Sequence, residues 1–271
     1  MNRTWSIVIP YYNERGFLSA TLQSLCRQTL RGFTLILVDN ASTDGSPEVA
    51  CQVTAGYPDI TVRHITEPTP GQVHALETGI AAVDTDFVAI CDADTLYPPD
   101  YLERANAAFA RGGWQVAAVM AMAVKGDPRG PRALLKRIKG QIVSRIWPRQ
   151  LHTGGYGHCF RTAVLRACGG YSKRLWPYVL KDHELMHRVF KQGSAIYPFG
   201  LWCRPSQRRA DRRTVRWTLR ERLMYHFTAF ERKDWFFYEY LAPRFARRRL
   251  DEINLRQQSW APNESTKPHN G

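Results

Sequence analysis

The chain has 271 residues, of which 44% are hydrophobic and 12% aromatic. This composition suffices to bury the core of one large domain, so a wholly disordered chain is excluded. The six cysteines form no Cys-x-x-Cys pair and no signal-peptide pattern precedes the first apolar run, so we expect a reduced, cytoplasmic protein. The longest apolar run, Val116 to Val124, is far shorter than the roughly 20 residues of a membrane-spanning helix.

Charge is distributed unevenly along the chain, whose formal net charge is +14. Residues 1–100 hold 5 Lys or Arg against 12 Asp or Glu, whereas residues 101–250 hold 31 against 9. We therefore expect a first part that supplies catalytic carboxylates and a second part that meets an anionic partner. Phosphates, nucleic acid and anionic lipid all remain open as that partner.

Short apolar runs alternate with helix-like stretches in the first half of the chain. The strand-like runs cover residues 6–9, 33–38, 60–65 and 87–91, and the helix-like stretches between them cover residues 14–28, 47–55 and 71–83. This alternation predicts an α/β fold with a mostly parallel sheet flanked by helices on both faces. In such sheets ligands bind beyond the carboxyl ends of the strands, where three polar loops fall.

The strongest local feature is Asp92-Ala93-Asp94, at the end of an apolar strand. Residues two apart in extended chain point the same way, so both carboxylates can face one cation. Oxygen ligands suit Mg²⁺ or Mn²⁺, which usually complete their shells with substrate phosphates. An ordinary polar turn is the alternative interpretation.

Two further loops, Ile7 to Glu14 and Val38 to Ser46, precede this motif in order. Together the three segments resemble the signature of the bacterial family 2 glycosyltransferases of GT-A fold. The resemblance implies a GT-A-like (Rossmann-like) domain and an inverting, metal-dependent transfer of sugar from a nucleotide diphosphate donor, with a UDP-sugar favoured. The processive Gln-x-x-Arg-Trp pattern is absent after Trp202, so we expect a non-processive enzyme that adds one sugar per event.

The resemblance also implies roles for individual residues of the first 100. Asp94 and Asp92 would bind Mg²⁺ or Mn²⁺. The residues that would bind the donor nucleotide are Pro10, Tyr11, Glu14, Asp39, Asn40, Ser42, Asp44, Gly71, Gln72, Asp92 and Ala93.

The acceptor half resembles the family through Gly154-Gly155 and through Asp182-His183-Glu184-Leu185. Asp182 matches the family's general base, with Glu184 as the fallback, and an inverting transfer needs such a carboxylate opposite the leaving group. A helix cap or a surface ion pair is the alternative for Asp182. The candidates for acceptor or phosphate binding are Gly154, Gly155, His183, Arg188, Arg204 and Arg208.

We predict a catalytic domain over residues 1–200, with a nucleotide-sugar half (1–100) and an acceptor half (101–200). A basic amphipathic helical extension over residues 201–258 and a disordered tail over 259–271 follow. Residues 133–147 combine an apolar stripe at helical spacing with interleaved Lys and Arg. Such stripes either pack on the domain or lie on an anionic membrane, which would make the protein peripheral on the inner membrane face.

Several functions therefore compete. The favoured acceptor is a saccharide, lipid-linked or otherwise part of the cell envelope. The alternatives are a basic nucleic-acid or membrane-surface binding protein with a degenerate nucleotide site, and a nucleotidyltransferase. The first loop, Pro10 to Glu14, is neither glycine-rich nor basic, which argues against a nucleotidyltransferase. No specific nucleic-acid partner is expected, because that role leaves Asp39, Asp92 and Asp94 unexplained.

Overall fold

The computed structural model describes residues 4–147, 149, 154–206 and 217–251. Within them, seven strands form the main sheet in the order β3-β2-β1-β4-β8-β6-β9. The strands of this sheet are β1 (Trp5–Tyr11), β2 (Thr34–Asp39), β3 (Thr61–Thr66), β4 (Phe87–Ile90), β6 (Val116–Met120), β8 (His158–Arg161) and β9 (Ser194–Ile196). The predicted α/β class with a mostly parallel sheet is confirmed.

The strand directions decide where the loops meet. β1 pairs in parallel with β2 and β4, and Tyr11 lies opposite Asp39 at the carboxyl ends. β8 runs antiparallel between β4 and β6, so its first residue, His158, lies opposite Ile90 at the end of β4. The loops after β1, β2 and β4 and the turn before β8 therefore reach the same edge of the sheet.

Helices cover both faces of the sheet, as the alternating pattern predicted. The helices of the described residues are α1 (Arg15–Cys26), α2 (Ser46–Ala55), α3 (Gln72–Ala81), α4 (Tyr101–Gly112), α5 (Pro131–Ile146), α6 (Thr162–Ala167), α7 (Lys181–Phe190), α8 (Leu219–Phe227) and α9 (Ala242–Arg247). Helices α1, α2 and α4 pack on the face that carries Ile7 and Leu35, and α3 and α7 pack on the face that carries Val8 and Ile36. Alternate residues of each strand thus fill two separate cores.

A second, three-stranded sheet lies beside the first, in the order β5-β10-β7. Its strands are β5 (Thr95–Leu96), β7 (Met122–Ala123) and β10 (Trp202–Pro205). β10 pairs with both β5 and β7, so residues 202–205 form a strand beside strands of the first 200 residues. The domain boundary at residue 200 stays a prediction.

The C-terminal extension is helical in its described part, residues 217–251. After α8 the chain forms a 3₁₀ turn, Phe230–Arg232, and a π-helix, Trp235–Leu241, that continues into α9. Its aromatic residues pack around Trp176 in a third core. The predicted disordered tail, residues 259–271, lies outside the described residues. No helix in the described ranges is both long and apolar enough to cross a bilayer.

Candidate active site

The loops after β1 and β2 are fastened to each other by side chains. Asn13, at a left-handed φ of 51°, donates its backbone N–H to the Ser42 hydroxyl at 3.0 Å, and its side-chain Oδ1 accepts from the Thr43 N–H at 2.8 Å. Asp44 accepts from the Arg15 N–H at 3.0 Å. Ser42 and Asp44, both predicted to bind the donor nucleotide, thus shape the loop through contacts within the protein.

Asn40 fixes the third loop, which leads into α3. Its amide donates to the carbonyl oxygens of Glu67 and Thr69 at 3.0 and 2.7 Å, and its Oδ1 accepts from the Gly71 N–H at 2.8 Å. Gly71 has a φ of 133°, a conformation that favours glycine. These contacts set the position of Gln72, the first residue of α3.

The remaining predicted donor residues line the carboxyl end of β1 and β2. Pro10, Tyr11, Glu14 and Asp39 are all buried, and Asp39 accepts from the Ser42 N–H at 3.2 Å. Burial, followed by the negative charge of Asp39, raises the pKa of Tyr11 far above its usual range. The Tyr11 hydroxyl is therefore neutral and available as a hydrogen-bond donor at physiological pH.

Asp92, Ala93 and Asp94 follow β4, at the place where the sequence predicted a cation site. The buried Ala93 carbonyl accepts from the Thr21 hydroxyl at 2.9 Å, which anchors the middle of the motif to α1. Ser206, just beyond β10, donates its N–H to the Asp94 carbonyl at 2.9 Å and its hydroxyl to Asp94 Oδ2 at 2.7 Å. Both aspartates are partly exposed, so their carboxylates can reach a ligand.

The carboxylates of Asp92 and Asp94 fit Mg²⁺ or Mn²⁺ only if other oxygen ligands complete the coordination of the ion. Within the part of the chain that the structure describes, no group of three or more His, Cys, Asp or Glu could hold a metal ion. Such ions are usually bound by one or two carboxylates together with substrate phosphates and water, and two carboxylates are present here. Asp94 also borders a cleft of about 390 Å³ together with Lys125 and Arg204, whose positive charges suit phosphate.

Asp182 lies in the first turn of α7, next to a buried tyrosine. The Tyr171 hydroxyl donates to Asp182 Oδ1 at 2.9 Å, and a Cβ on Gly155 would lie 2.7 Å from the same oxygen. The amide dipoles at the start of a helix favour a carboxylate there. Asp182 is thus held in one orientation by Tyr171, with Gly155 leaving space beside it.

One chain of contacts joins the acceptor half to the donor half. Lys181 Nζ donates to Gln72 Oε1 at 2.6 Å, and Gln72 Nε2 lies 3.4 Å from Asp92 Oδ1. Burial raises the pKa of Tyr171, and the charges of Asp182 and then Asp92 raise it further. The side chains of Lys181 and Gln72 thus connect the start of α7, which carries Asp182, with the loop that carries Asp92.

The fallback base, Glu184, has a structural environment instead. It is 1% exposed and accepts from Arg188 Nε at 2.7 Å and Nη2 at 2.8 Å, and from the Tyr238 hydroxyl. Arg188 also donates to the Cys168 carbonyl. Glu184 and Arg188 already bind each other in this buried ion pair. Glu184 is therefore poorly placed to take a proton from the acceptor hydroxyl, and Arg188 is poorly placed to bind phosphate.

The other acceptor candidates fall in different places. Gly154 precedes the 3₁₀ turn before β8, where a Cβ would lie 2.6 Å from the Tyr156 ring. The His183 ring lies 5.1 and 5.9 Å from the rings of Trp217 and Tyr225, among the aromatic residues of the C-terminal extension. Arg208 lies outside the described residues.

The predicted site omitted Tyr171, Lys181 and Ser206. Tyr171 ends the Gly169-Gly170-Tyr171 segment, so the sequence offered a signal for it. Lys181 directly precedes Asp182, and only the fold brings it to Gln72. Ser206 lies 112 residues from Asp94, and nothing in the local sequence marks it.

We expect Gly155→Ala to reduce transfer while leaving nucleotide binding nearly unchanged. The added methyl group would lie 2.7 Å from Asp182 Oδ1, so the carboxylate or the turn must move. Misplacement by about 1 Å can lower a rate about 10²-fold. Steady-state kinetics and a nucleotide titration measure the two effects. Gly56→Ala, at the end of α2 where φ is −74° and a Cβ would lie 3.4 Å from the nearest atom, controls for the loss of a glycine, and equal loss of nucleotide binding would contradict the local explanation.

Comparisons with known proteins show which family the chain resembles. The chain is 31% identical over 182 residues to an undecaprenyl-phosphate 4-deoxy-4-formamido-L-arabinose transferase of Serratia proteamaculans, which is 66% of this chain and 52% of the relative. It is 34% identical over 99 residues to an uncharacterized glycosyltransferase of Nostoc, which is 36% of this chain and 30% of the relative. The chain thus spans about half or less of these curated relatives.

Solved structures show the same fold. The mannosyltransferase PcManGT from Pyrobaculum calidifontis, in complex with GDP-Man and Mn²⁺, superposes with a TM-score of 0.64 at 25% identity, over 83% of this chain and 63% of that one. Staphylococcus aureus TarS with UDP-GlcNAc gives a TM-score of 0.60 at 16% identity, over 94% and 76%. The family model for glycosyl transferase family 2 matches residues 6–168, more than half of the chain. The chain belongs to glycosyl transferase family 2.

Proposed function

We propose that this protein is an inverting glycosyltransferase that moves one sugar per event from a nucleotide diphosphate donor to an acceptor hydroxyl. The observation that carries the proposal is the contact chain from Lys181 through Gln72 to Asp92. These contacts connect the acceptor helix, which carries the proposed base Asp182, with the donor loop, which carries Asp92. Family membership over residues 6–168 supports the same activity.

Asp182 is the general base in this proposal. As the acceptor oxygen forms its bond to the anomeric carbon, the bond from that carbon to the diphosphate oxygen breaks, and the acceptor proton passes to the carboxylate of Asp182. The Tyr171 hydroxyl keeps that carboxylate oriented. Glu184 is a weaker choice because Arg188 and Tyr238 already occupy it.

Asp94 and Asp92 are the proposed ligands of Mg²⁺ or Mn²⁺. When bound, such an ion would neutralise the diphosphate and stabilise the departing nucleotide. The similar mannosyltransferase was crystallised with GDP-Man and Mn²⁺. Lys181 lies beside Gln72, so its ammonium adds positive charge near the diphosphate. We favour a UDP-sugar as the donor on the sequence resemblance.

The proposed acceptor is a lipid-linked or cell-envelope saccharide, met by a cytoplasmic protein at the inner face of a membrane. The similarity to an undecaprenyl-phosphate sugar transferase supports this class of acceptor. So does the basic composition of residues 101–250. A nucleotidyltransferase or a nucleic-acid binder has no support in the family match.

We expect one of the nucleotides UDP, GDP and CMP to bind in a metal-dependent manner. Titration calorimetry with UDP, GDP and CMP, each with and without Mn²⁺, measures this without knowledge of the acceptor. Asp94→Ala should weaken the metal-dependent binding at least tenfold, because it removes a carboxylate ligand of the ion.

Asp127→Ala is the matched control, since Asp127 is an exposed carboxylate outside the donor loops. It should bind the nucleotide as the unmodified chain does. Absence of binding to all three nucleotides under both conditions would refute the proposed donor site.

A further inference from the structure

The helix α5 exposes its apolar side. Leu134, Ile138, Ile142 and Ile146, spaced four residues apart, form one stripe, and Leu135 borders it. All five are exposed, Leu135 by 68% and Ile142 by 53%. Amphipathic helices of globular proteins usually bury this stripe. The alternative that the sequence left open, packing of the stripe on the domain, does not hold in this structure.

The opposite side of α5 explains this orientation. Ala133 and Gly140 are its buried residues, and a Cβ on Gly140 would lie 2.1 Å from the Met122 side chain, so the helix packs closely there. Gln141 donates to the Tyr197 carbonyl and Arg137 to the Pro128 carbonyl at 2.8 Å. Small and polar residues thus attach α5 to the domain, which leaves its largest aliphatic residues facing outward.

The helix α8 is arranged in the same way. Leu219, Leu223 and Phe227 form an exposed stripe, Phe227 by 83%, whereas Glu221 and Tyr225 face the protein. Just beyond the C-terminal ends of α5 and α8, the Arg149 guanidinium lies 4.4 Å from the centre of the Phe230 ring, so these ends of the two helices lie close together. The Tyr197 carbonyl accepts from Gln141 of α5.

We propose that these two exposed stripes, here called the amphipathic surface, dock on an anionic membrane. The role of the amphipathic surface rests on the proposed function, sugar transfer at a membrane, but its binding to lipid can be measured without any sugar transfer. The α5 sequence has no acidic residue. Exposed Arg132, Lys139 and Arg145 border its stripe, and Arg220 and Arg222 border that of α8. Aliphatic residues that enter the headgroup region beside basic residues that meet lipid phosphates are the features of interfacial helices.

Charge also argues against other partners. A second copy would bring two basic faces together, and like charges oppose such contact. Nucleic acid would satisfy the basic residues but not the branched aliphatic ones, since single strands are bound largely by stacking on aromatic rings. A bilayer with anionic headgroups satisfies both the apolar and the basic residues of the amphipathic surface.

Flotation with vesicles tests the proposal on the full chain. The protein should float with vesicles of phosphatidylcholine and phosphatidylglycerol in equal parts, and much less with phosphatidylcholine alone. Leu135→Glu with Ile142→Glu should abolish flotation. Arg132→Gln with Lys139→Gln should weaken it about 25-fold, because each basic residue near an anionic surface contributes about fivefold. Trp114→Glu, on an exposed turn away from both stripes, should float normally.

Several results would overturn the proposal. They are normal flotation of the Leu135 and Ile142 variant, no flotation of the unmodified chain at moderate salt, and a dimer in sedimentation equilibrium that the same variant dissociates. Tighter binding to generic RNA or DNA than to the anionic vesicles would assign the surface to nucleic acid instead. The nucleotide titration is run on every variant, so that loss of the donor site is distinguished from loss of lipid binding.

Discussion

Asp182→Asn lowers the turnover number by about 10²- to 10⁴-fold and leaves metal-dependent nucleotide binding intact. That range is the usual contribution of a positioned general base. The amide keeps the shape of the carboxylate, and its oxygen can still accept from Tyr171, so the fold is preserved. Turnover with saturating acceptor, alongside the nucleotide titration, measures both effects. Normal turnover in this variant would place the base elsewhere.

Tyr171→Phe is the companion variant that separates orientation from chemistry. Tyr171 touches Asp182 and acts through it, so we assign it a positioning role. Loss of the hydroxyl removes the donor that holds the carboxylate in one orientation. Turnover should therefore fall, but less than in Asp182→Asn, with metal-dependent nucleotide binding unchanged. Normal turnover would restrict Tyr171 to packing.

The sequence predicted the fold class and the three loops because both depend on local patterns. Strand and helix periods are readable within short windows, and parallel strands bring their carboxyl ends together. The Asp92-Ala93-Asp94 motif can be recognised in the sequence from its position directly after an apolar strand. Long-range partners could not be read in this way, since Ser206 reaches Asp94 only through the pairing of β10 with β5.

Residues 202–205 and Glu184 show what local sequence leaves undetermined. Residues 202–205 look like the start of a basic segment, and backbone pairing makes them a strand beside β5 and β7. Glu184 and Arg188, four residues apart, share a face of α7. Whether that face meets substrate or protein depends on Tyr238, 54 residues away, which covers it. Sequence spacing carries no such information.

The α5 stripe shows a different limit of sequence patterns. Its periodicity predicts an amphipathic helix whether the apolar side faces inward or outward. What decides the orientation is the other side, where Gly140 allows close approach to Met122 and Gln141 reaches the Tyr197 carbonyl. Those partners belong to other elements of the fold. The sequence therefore predicted the helix correctly and left its orientation open.

Glu184→Gln is expected to lower the free energy of unfolding by about 3–5 kcal/mol, the usual effect of removing one partner of a buried ion pair. Arg188 would keep its charge at a side chain that is 10% exposed, without the carboxylate that now accepts from two of its nitrogens. Urea denaturation measures the change. Asp59→Asn, which breaks an exposed pair with Arg31, should change stability by less than about 1 kcal/mol.

A double variant, Glu184→Leu with Arg188→Met, distinguishes the ion pair from other roles of Glu184. Removing both charges leaves neither one buried alone, so much of the stability lost in Glu184→Gln should return. If Glu184 were instead the general base, Glu184→Gln would unfold normally but lose turnover. Glu184 of this pair also accepts a hydrogen bond from the hydroxyl of Tyr238 in the C-terminal extension. Glu184→Gln should therefore loosen the docking of that extension, detectable as faster amide hydrogen exchange over Trp235–Leu241.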